Sequence, residues 1–265
     1  IINTKLVCET GLHVGGTATG YEIGGIDNPV IKDPLTDEPY IPGSGLKGKL
    51  RSLLEWSLGK NEFLDPPQPH HFTSGHKSSG EPTFSPCSCG QCVSCVLFGV
   101  TPQAGVKKTS DVRKSEESFA LQVDGYFLTG PTRLTVRDSF LSNKAEIEGL
   151  MGQKGLYTEV KTENALDRVT AEANPRPMER VPKGATFGIE MVLAIYCAKD
   201  KELLKALFTA MHLLENSALG GTGSRGSGKV RFTDLSAKFR SVEYYKTGNT
   251  AEDKPVPNMP QIVLD

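Results

Sequence analysis

The sequence predicts an α+β fold with a ferredoxin-like core, in which the elements follow one another in the order βαββαβ. Two amphipathic patterns predict the helices, one that opens after Pro42 and one over residues 201–216. Strand patterns precede the first helix, separate the two helices and follow the second helix. These strand patterns lie at residues 2–8, 119–140, 187–198 and 230–239.

The first strand, residues 2–8, alternates in part between apolar and polar side chains. A glycine-rich stretch follows and contains His13. The next loop, residues 24–29 (GGIDNP), contains Asp27, and the sequence Asp-Asn-Pro is by itself typical of a turn. Residues 29–41 then predict a short strand or a hairpin.

The first helix is predicted to begin with Ser44 as its N-cap. Its apolar face is formed by Leu46, Leu50, Leu53 and Leu54, which recur at helical spacing. Lys47 and Arg51 share a second face near the N-terminus of this helix. Cations at a helix N-terminus oppose the helix dipole, so their placement indicates that an anion binds there.

A polar insertion, residues 60–118, contains four cysteines within nine residues. Zinc is bound tetrahedrally by four nitrogen or sulfur ligands, and a polar loop that cannot bury a core of its own is typically held by such a metal. The spacing predicts a structural zinc site. One of the first two cysteines is a possible spare, and redox cysteines, a disulfide or an iron–sulfur cluster are the alternatives. The candidate ligands are Cys87, Cys89, Cys92 and Cys95, with His71 or His76 as a possible fourth ligand.

Residues 155–184 predict a projecting hairpin. After the second helix, residues 220–228 hold five glycines, with Arg225 inside the loop and Lys229 directly after it. Exposed N–H groups in such a loop can bind phosphate, although a flexible connection is the plain alternative. The loop lacks the ending of a P-loop and does not follow a strand, so a dinucleotide site is not expected. A proline-rich tail after the last strand is expected to be loose.

Composition sets wider limits on the function. The 265 residues carry a net charge of −1, with 37% hydrophobic and 23% charged residues, so the sequence predicts one globular domain over 1–265. Any nucleic-acid site must be a local patch, because no global basic field is present. Neither a membrane span nor a secretory leader is expected. The tight cysteine cluster indicates a reducing compartment and hence a cytoplasmic protein.

Several stretches together resemble the repeat-associated RAMP proteins, and in particular the backbone subunit of type III-A CRISPR effector complexes. The helix-opening sequence at residues 42–51 (PGSGLKGKLR) is similar to the family motif P-G-S-S-L-K-G, and residues 220–228 are similar to its glycine-rich loop. The matches run from about residue 6 to residue 232 in the family's order. The other matching stretches are residues 11–16, 25–34, 164–171 and 180–184.

The resemblance implies an RNA-recognition-like palm, a thumb hairpin at 155–184 and copies of the chain stacked along a CRISPR RNA. The implied partners are CRISPR RNA, target RNA, the large polymerase- or nuclease-like subunit, the small subunit and end-capping RAMP subunits. Each thumb would displace one nucleotide, and Asp27 falls on the aspartate that the family needs to cut target RNA there. Cleavage would require Mg²⁺ or Mn²⁺ and leave a 2′,3′-cyclic phosphate. The cysteines match a zinc-binding version of the subunit.

The candidate RNA-binding residues lie in the first glycine-rich stretch, the first helix, the hairpin and the glycine loop. Helix N-termini and their cations bind phosphate, so the first helix is the expected clamp on the guide backbone. The hairpin residues are expected to wedge and hold the displaced nucleotide; an ordinary solvated loop is the alternative. The full set is His13, Ser44, Lys47, Lys49, Arg51, Arg176, Met178, Arg180, Gly223, Ser224, Arg225, Gly226 and Lys229.

Three other functions stay open at this point. The first is a filament subunit that holds the guide while another protein cuts. The second is a metal-independent endonuclease that processes CRISPR RNA, which would need a histidine-centred site near the first helix. The third is the equivalent subunit of a type III-B complex or another type III variant.

Overall fold

A computed structural model describes residues 1–16, 28–59, 72–76, 82–100, 106–108, 121–123 and 126–256. The fold combines helices and sheets, as the sequence predicts. Its strand pairs are antiparallel wherever their register is resolved. Contacts group the chain into two compact units. The first comprises residues 47–136 and 191–213 with Ile1, and the second comprises residues 2–46, 137–190 and 214–265.

The described strands and helices follow in a fixed order along the chain. They are β1 (Ile2–Cys8), β2 (Tyr40–Ile41), α1 (Gly43–Gly59), β3 (Phe72–His76), β4 (Pro82–Pro86), α2 (Val93–Phe98), β5 (Val106–Lys108), β6 (Leu121–Val123), β7 (Tyr126–Leu128), β8 (Leu134–Val136), β9 (Ser139–Phe140), α3 (Lys144–Met151), β10 (Glu159–Leu166), β11 (Ala173–Arg180), β12 (Thr186–Leu193), α4 (Leu203–Glu215), β13 (Val230–Arg240), α5 (Val242–Thr247) and β14 (Asp253–Pro255).

A five-stranded sheet in the order β14-β13-β1-β12-β8 carries the core. Strands β1 and β13 pair antiparallel, with Leu6 opposite Phe232, and both of these side chains are buried. Four of these strands and two helices occur in the chain order β1, α1, β8, β12, α4, β13, with other strands and helices between them. Strands β10 and β11 form a separate antiparallel hairpin within residues 155–184.

The predicted N-cap of the first helix is wrong. Helix α1 begins at Gly43, so Ser44 lies inside its first turn and is exposed. The N–H of Gly43 donates instead to Asp138 Oδ1 at 2.7 Å. A carboxylate 95 residues away in sequence therefore takes the place that a local hydroxyl was expected to fill.

The strand predicted over residues 187–198 is shorter than expected, because β12 ends at Leu193. The carboxylate of Asp200 accepts hydrogen bonds from the N–H groups of Tyr196 and Cys197, at 2.8 and 3.1 Å. These bonds turn the chain into a 3₁₀ helix over Ala198–Glu202 that leads into α4.

The tail prediction is wrong for residues 242–255. Helix α5 begins after Ser241, whose hydroxyl accepts from the N–H of Tyr244. Strand β14 pairs with β13, and Arg240 Nε lies 3.2 Å from Asp253 Oδ1 across this pair. Helices α2 and α3 were also not predicted. Within the described part of the chain, no helix has both the length and the apolar character that crossing a membrane requires.

Candidate nucleic-acid interface and metal centre

In the second unit, three predicted stretches meet at the base of the β10–β11 hairpin. His13 is 9% exposed, and its Nδ1 donates to the carbonyl of Glu179 at 2.7 Å. The carbonyl of His13 accepts from the N–H of Gly221 at 2.8 Å. Gly220 has φ +74°, and a Cβ there would lie 2.1 Å from the same carbonyl, so only glycine allows this approach. His13 therefore joins the first glycine-rich stretch to the hairpin and the glycine loop.

Five amides of the glycine loop donate to main-chain carbonyls. The N–H groups of Gly221 and Gly228 donate to the carbonyls of His13 and Gly11, both at 2.8 Å. The N–H groups of Arg225, Gly226 and Ser227 donate within the loop. These five amides are engaged, so they do not contribute to an open anion site. What the loop presents outward is the exposed segment Ser224–Gly226, which follows Gly223 in a 3₁₀ turn, together with Lys229, which pairs with Glu9 at 3.0 Å.

Glu179, in β11, is a buried carboxylate that sequence reasoning missed. Its oxygens accept hydrogen bonds from Thr158 Oγ1 at 2.6 Å, the Val30 N–H at 2.9 Å and Lys32 Nζ at 2.8 Å. Its own N–H donates to the carbonyl of Asn28 at 3.2 Å. The hairpin base thus holds the segment 28–32. Burial opposes ionisation of Glu179, but the bonds from Lys32, Thr158 and Val30 outweigh it and hold the pKa below its ordinary value.

The lowered pKa of Glu179 predicts an acid-sensitive clamp. Because the folded pKa lies below the unfolded value of about 4.3, the stabilisation is complete above that value and is lost as the pH falls through the folded pKa. We expect Glu179→Gln to reduce the free energy of unfolding by about 1.5–3 kcal/mol at pH 7. The variant should also lose less stability than the wild type between pH 6 and pH 3, measured by urea denaturation. Parallel pH profiles for the two proteins would contradict this role.

An open groove of about 640 Å³ runs between the hairpin and the glycine loop. Arg176 and Arg225, both predicted to bind RNA, line it and are exposed. Lys161 and Arg168 line it as well and were missed. Glu163 is the acid in this lining, and it pairs with Arg225 at 2.9 Å and with Lys161 at 3.0 Å. The groove has an excess of positive charge, which suits a phosphate backbone.

Two other hairpin residues do not fit their predicted role as wedges. Met178 is 6% exposed, and the hydroxyl of Thr222 lies 3.6 Å from its sulfur, so it packs against the glycine loop and cannot enter a stack of bases. Arg180 is partly buried, pairs with Glu159 at 2.6 Å and covers Gly11. A Cβ on Gly11 would lie 2.5 Å from the Arg180 side chain.

The cations of α1 lie in the first unit and differ in their surroundings. Lys47 Nζ donates to the carbonyl of Leu134 at 2.9 Å, and burial, together with the charge of Arg51, lowers the pKa of Lys47. Lys49 is partly exposed. The guanidinium of Arg51 donates to Glu55, Gly99 and Cys87, at 2.7, 2.8 and 2.6 Å. The anion indicated by the sequence is therefore a carboxylate of the same helix, and Arg51 is turned away from an RNA role.

All four cysteines of the first unit converge. Their sulfur atoms lie within 4.8 Å of one another, so neither Cys87 nor Cys89 is spare. The Cys87 and Cys92 sulfurs are 3.8 Å apart, and the Cys89 and Cys95 sulfurs are 3.7 Å apart. Tetrahedral Zn–S bonds of about 2.3 Å place sulfurs about 3.8 Å apart. The donor set and its dimensions fit a metal such as zinc.

Local structure supports this cluster. The Cys92 sulfur caps α2 by accepting from the Cys95 N–H at 3.4 Å, and the Cys89 sulfur accepts from the Cys92 N–H at 3.3 Å. Hydrogen bonds from Cys87 and the other thiols lower the pKa of Cys89, whereas hydrogen bonds among the same thiols raise the pKa of Cys92.

Two predicted residues are outside the described part of the chain, Asp27 and His71. The described chain resumes at Asn28, whose carbonyl is held by Glu179. His76 lies in β3. The four cysteines complete a ligand set without either histidine.

Comparisons with known proteins place the chain among CRISPR proteins. The model of the RAMP superfamily matches residues 5–231. The chain is similar to the "CRISPR system Cms endoribonuclease Csm3" of Methanothermobacter thermautotrophicus, with 39% identity over 247 residues, 93% of this chain and 88% of the relative.

Solved structures agree on the fold. The chain is similar to a chain of the Csm3–Csm4 subcomplex of the type III-A CRISPR–Cas interference complex, with 28% identity, a TM-score of 0.51, and coverage of 96% of this chain and 86% of that one. It also has the fold of Methanopyrus kandleri Csm3, with 24% identity, a TM-score of 0.58, and coverage of 93% and 79%.

Proposed function

Because the chain belongs to the RAMP superfamily, we propose that it is the backbone subunit of a type III CRISPR effector complex and cleaves complementary target RNA as an endoribonuclease. One observation carries this conclusion: the similarity to a Csm3 endoribonuclease extends over almost the whole of both chains. The complex is of type III-A rather than III-B. Its other parts are CRISPR RNA, target RNA, further copies of this chain, a large subunit, a small subunit and end-capping RAMP subunits.

The core of this subunit is a ferredoxin-like, RNA-recognition-like palm. The chain order β1, α1, β8, β12, α4, β13 supports this assignment. The β10–β11 hairpin is its thumb, and the cysteine segment is a metal-binding insertion that holds zinc. Zinc bound by the four thiolates would supply structure rather than catalysis, because the cysteines fill all four positions of a tetrahedral site.

The groove between the thumb and the glycine loop is the RNA-binding surface that the charges favour. Arg176 and Arg225 line it, with Lys161 and Arg168 as additional contacts. Ser224 and Gly226, on either side of Arg225, are exposed in the glycine loop. On α1, Ser44 and Lys49 offer a second contact to the RNA. These groups recognise backbone and shape, because sequence is read by base pairing with the guide.

The chemistry needs few protein groups, since RNA carries its own nucleophile. An A-form strand keeps the 2′-OH away from in-line attack, and displacing one nucleotide allows the reacting geometry. Asp27 acts as the general base on the 2′-OH or holds a divalent ion, Mg²⁺ or Mn²⁺, together with RNA phosphate oxygens. Such an ion, when bound, supplies charge stabilisation at the phosphate. The products are a 2′,3′-cyclic phosphate and a 5′-OH.

Incubation of the assembled complex with labelled complementary RNA tests this function. We expect regularly spaced products with 2′,3′-cyclic phosphate ends in Mg²⁺ and intact RNA in excess EDTA. RNA that is bound but stays intact in Mg²⁺ would contradict catalysis and leave a guide-binding filament subunit. Cleavage of free repeat RNA by the isolated chain, unaffected by EDTA, would instead indicate a processing endonuclease.

A further inference from the structure

Two side chains of α1 hold the first cysteine of the cluster by its main chain. Glu55 Oε1 accepts from the N–H of Cys87 at 3.3 Å. Arg51 Nη2 donates to the carbonyl of Cys87 at 2.6 Å. Both polar main-chain groups of Cys87 are therefore bound by residues one turn apart on the same helix.

The same pair also reaches α2, which begins directly after Cys92 and contains Cys95. Ser94, fully buried between Cys92 and Cys95 in sequence, donates from its hydroxyl to Glu55 Oε1 at 3.0 Å. Arg51 Nη1 donates at 2.8 Å to the carbonyl of Gly99, the C-cap residue that follows α2. Arg51 and Glu55 thus fix both the segment that brings in Cys87 and the helix that brings in Cys95.

Charge makes the two partners unequal. The side chain of Glu55 is 3% exposed and that of Arg51 is 17% exposed, with 2.7 Å between Arg51 Nε and Glu55 Oε1. A divalent metal held by four thiolates has a net charge of −2. A buried carboxylate beside that centre is costly unless a cation neutralises it. Arg51 supplies this cation, so Glu55 depends on Arg51. The reverse dependence is weaker, because the negative centre would attract the guanidinium of Arg51 even without Glu55.

We propose that Arg51 and Glu55 are positioning residues of the metal centre, through which metal binding and the packing of α1 stabilise each other. Substitution of residues that orient metal ligands without touching the metal commonly weakens metal affinity by about 10- to 100-fold. The proposal concerns the metal and the helix alone, so it stands or fails independently of the RNA-cleaving function.

Zn²⁺ affinity of the full-length chain, measured by competition with a chromophoric chelator, tests the proposal. Arg51→Met should weaken Zn²⁺ binding by about 10- to 100-fold. Glu55→Gln should weaken it less, because the cation stays. Arg51→Met combined with Glu55→Gln should bind Zn²⁺ more tightly than Arg51→Met alone, since the unpaired carboxylate is gone. A purely structural loss would make the double variant worse than either single variant.

Arg231→Met is the matched control, because Arg231 pairs with Glu9 at 2.6 Å on the surface and is 57% exposed. This variant should bind Zn²⁺ like the wild type. Arg51→Lys keeps the positive charge but cannot donate to the carbonyls of both Cys87 and Gly99. This variant provides the test if Arg51→Met does not fold. Its affinity should fall between the wild type and Arg51→Met. Removing Zn²⁺ from the wild type should also speed amide hydrogen exchange over residues 47–55. Wild-type affinity in both Arg51 variants, or unchanged exchange, would overturn the proposal.

Discussion

Replacement of Asp27 by alanine is expected to lower the rate constant for target-RNA cleavage by about 10²- to 10⁴-fold, the usual contribution of a positioned acid–base group. Binding of guide and target should stay at the wild-type level, because the basic groove residues are untouched. The measurement is single-turnover cleavage by the assembled complex at saturating protein, with target affinity determined separately. The separation of rate from affinity is what identifies a group that acts on the reacting atoms.

Asp37→Asn is a suitable control for Asp27. Asp37 lies in the same segment of sequence, its side chain is 84% exposed, and its φ of +57° is one that asparagine tolerates. This variant should cleave like the wild type. Asp27→Asn should lose activity like the alanine variant, because an amide cannot take the proton. A full ladder of products from Asp27→Ala complexes would contradict the assignment of Asp27.

Periodicity was sufficient to predict the buried faces of both core helices. Leu46, Leu50 and Leu54 are buried on α1, whereas Leu53, also predicted on this face, is half-buried. On α4, Leu207 and Met211 are buried. These predictions succeed because the exposure of a residue on an amphipathic helix depends mainly on its own position in the turn. The convergence of the four cysteines succeeds for a similar reason, since their spacing is local.

The failures come from partners distant in sequence. The sequence predicts Arg51 as a free cation near a helix N-terminus, but its guanidinium donates to the carbonyls of Cys87 and Gly99. Met178 presented as an exposed hairpin residue, but the glycine loop covers it through Thr222. Alternation with a period of two shows which residues share a face of a strand. It does not show which of the two faces is buried by another segment of the chain.

Buried carboxylates are the residues that sequence reasoning detects least. Glu179 was passed over between Met178 and Arg180, although it binds three donors from separate segments. A glutamate in a charged stretch is normally solvated, and burial is tolerated only where several donors meet it. Those donors come from the region of residues 30–32 and from Thr158, and no local pattern brings them together.

Substitution of Asp200 by alanine is expected to reduce the free energy of unfolding by about 3–5 kcal/mol, because it leaves a buried cation without its carboxylate partner. Arg133 Nε and Asp200 Oδ2 are 3.2 Å apart, and both side chains are fully buried. The guanidinium of Arg133 also lies 4.9 Å from the centre of the Tyr196 ring, which stabilises it only in part. Urea denaturation followed by circular dichroism measures the loss.

Asp200 also accepts from the N–H groups of Tyr196 and Cys197, so its loss has two components that a second variant separates. Arg133→Met with Asp200→Ala removes the stranded cation and should recover part of the stability, while the turn into α4 stays weakened. Glu190→Ala is the surface control: Glu190 pairs with Arg137 but is 43% exposed, so its loss should cost at most about 1 kcal/mol. If Asp200→Ala costs no more than this control, the buried pair is not a principal source of stability in the first unit.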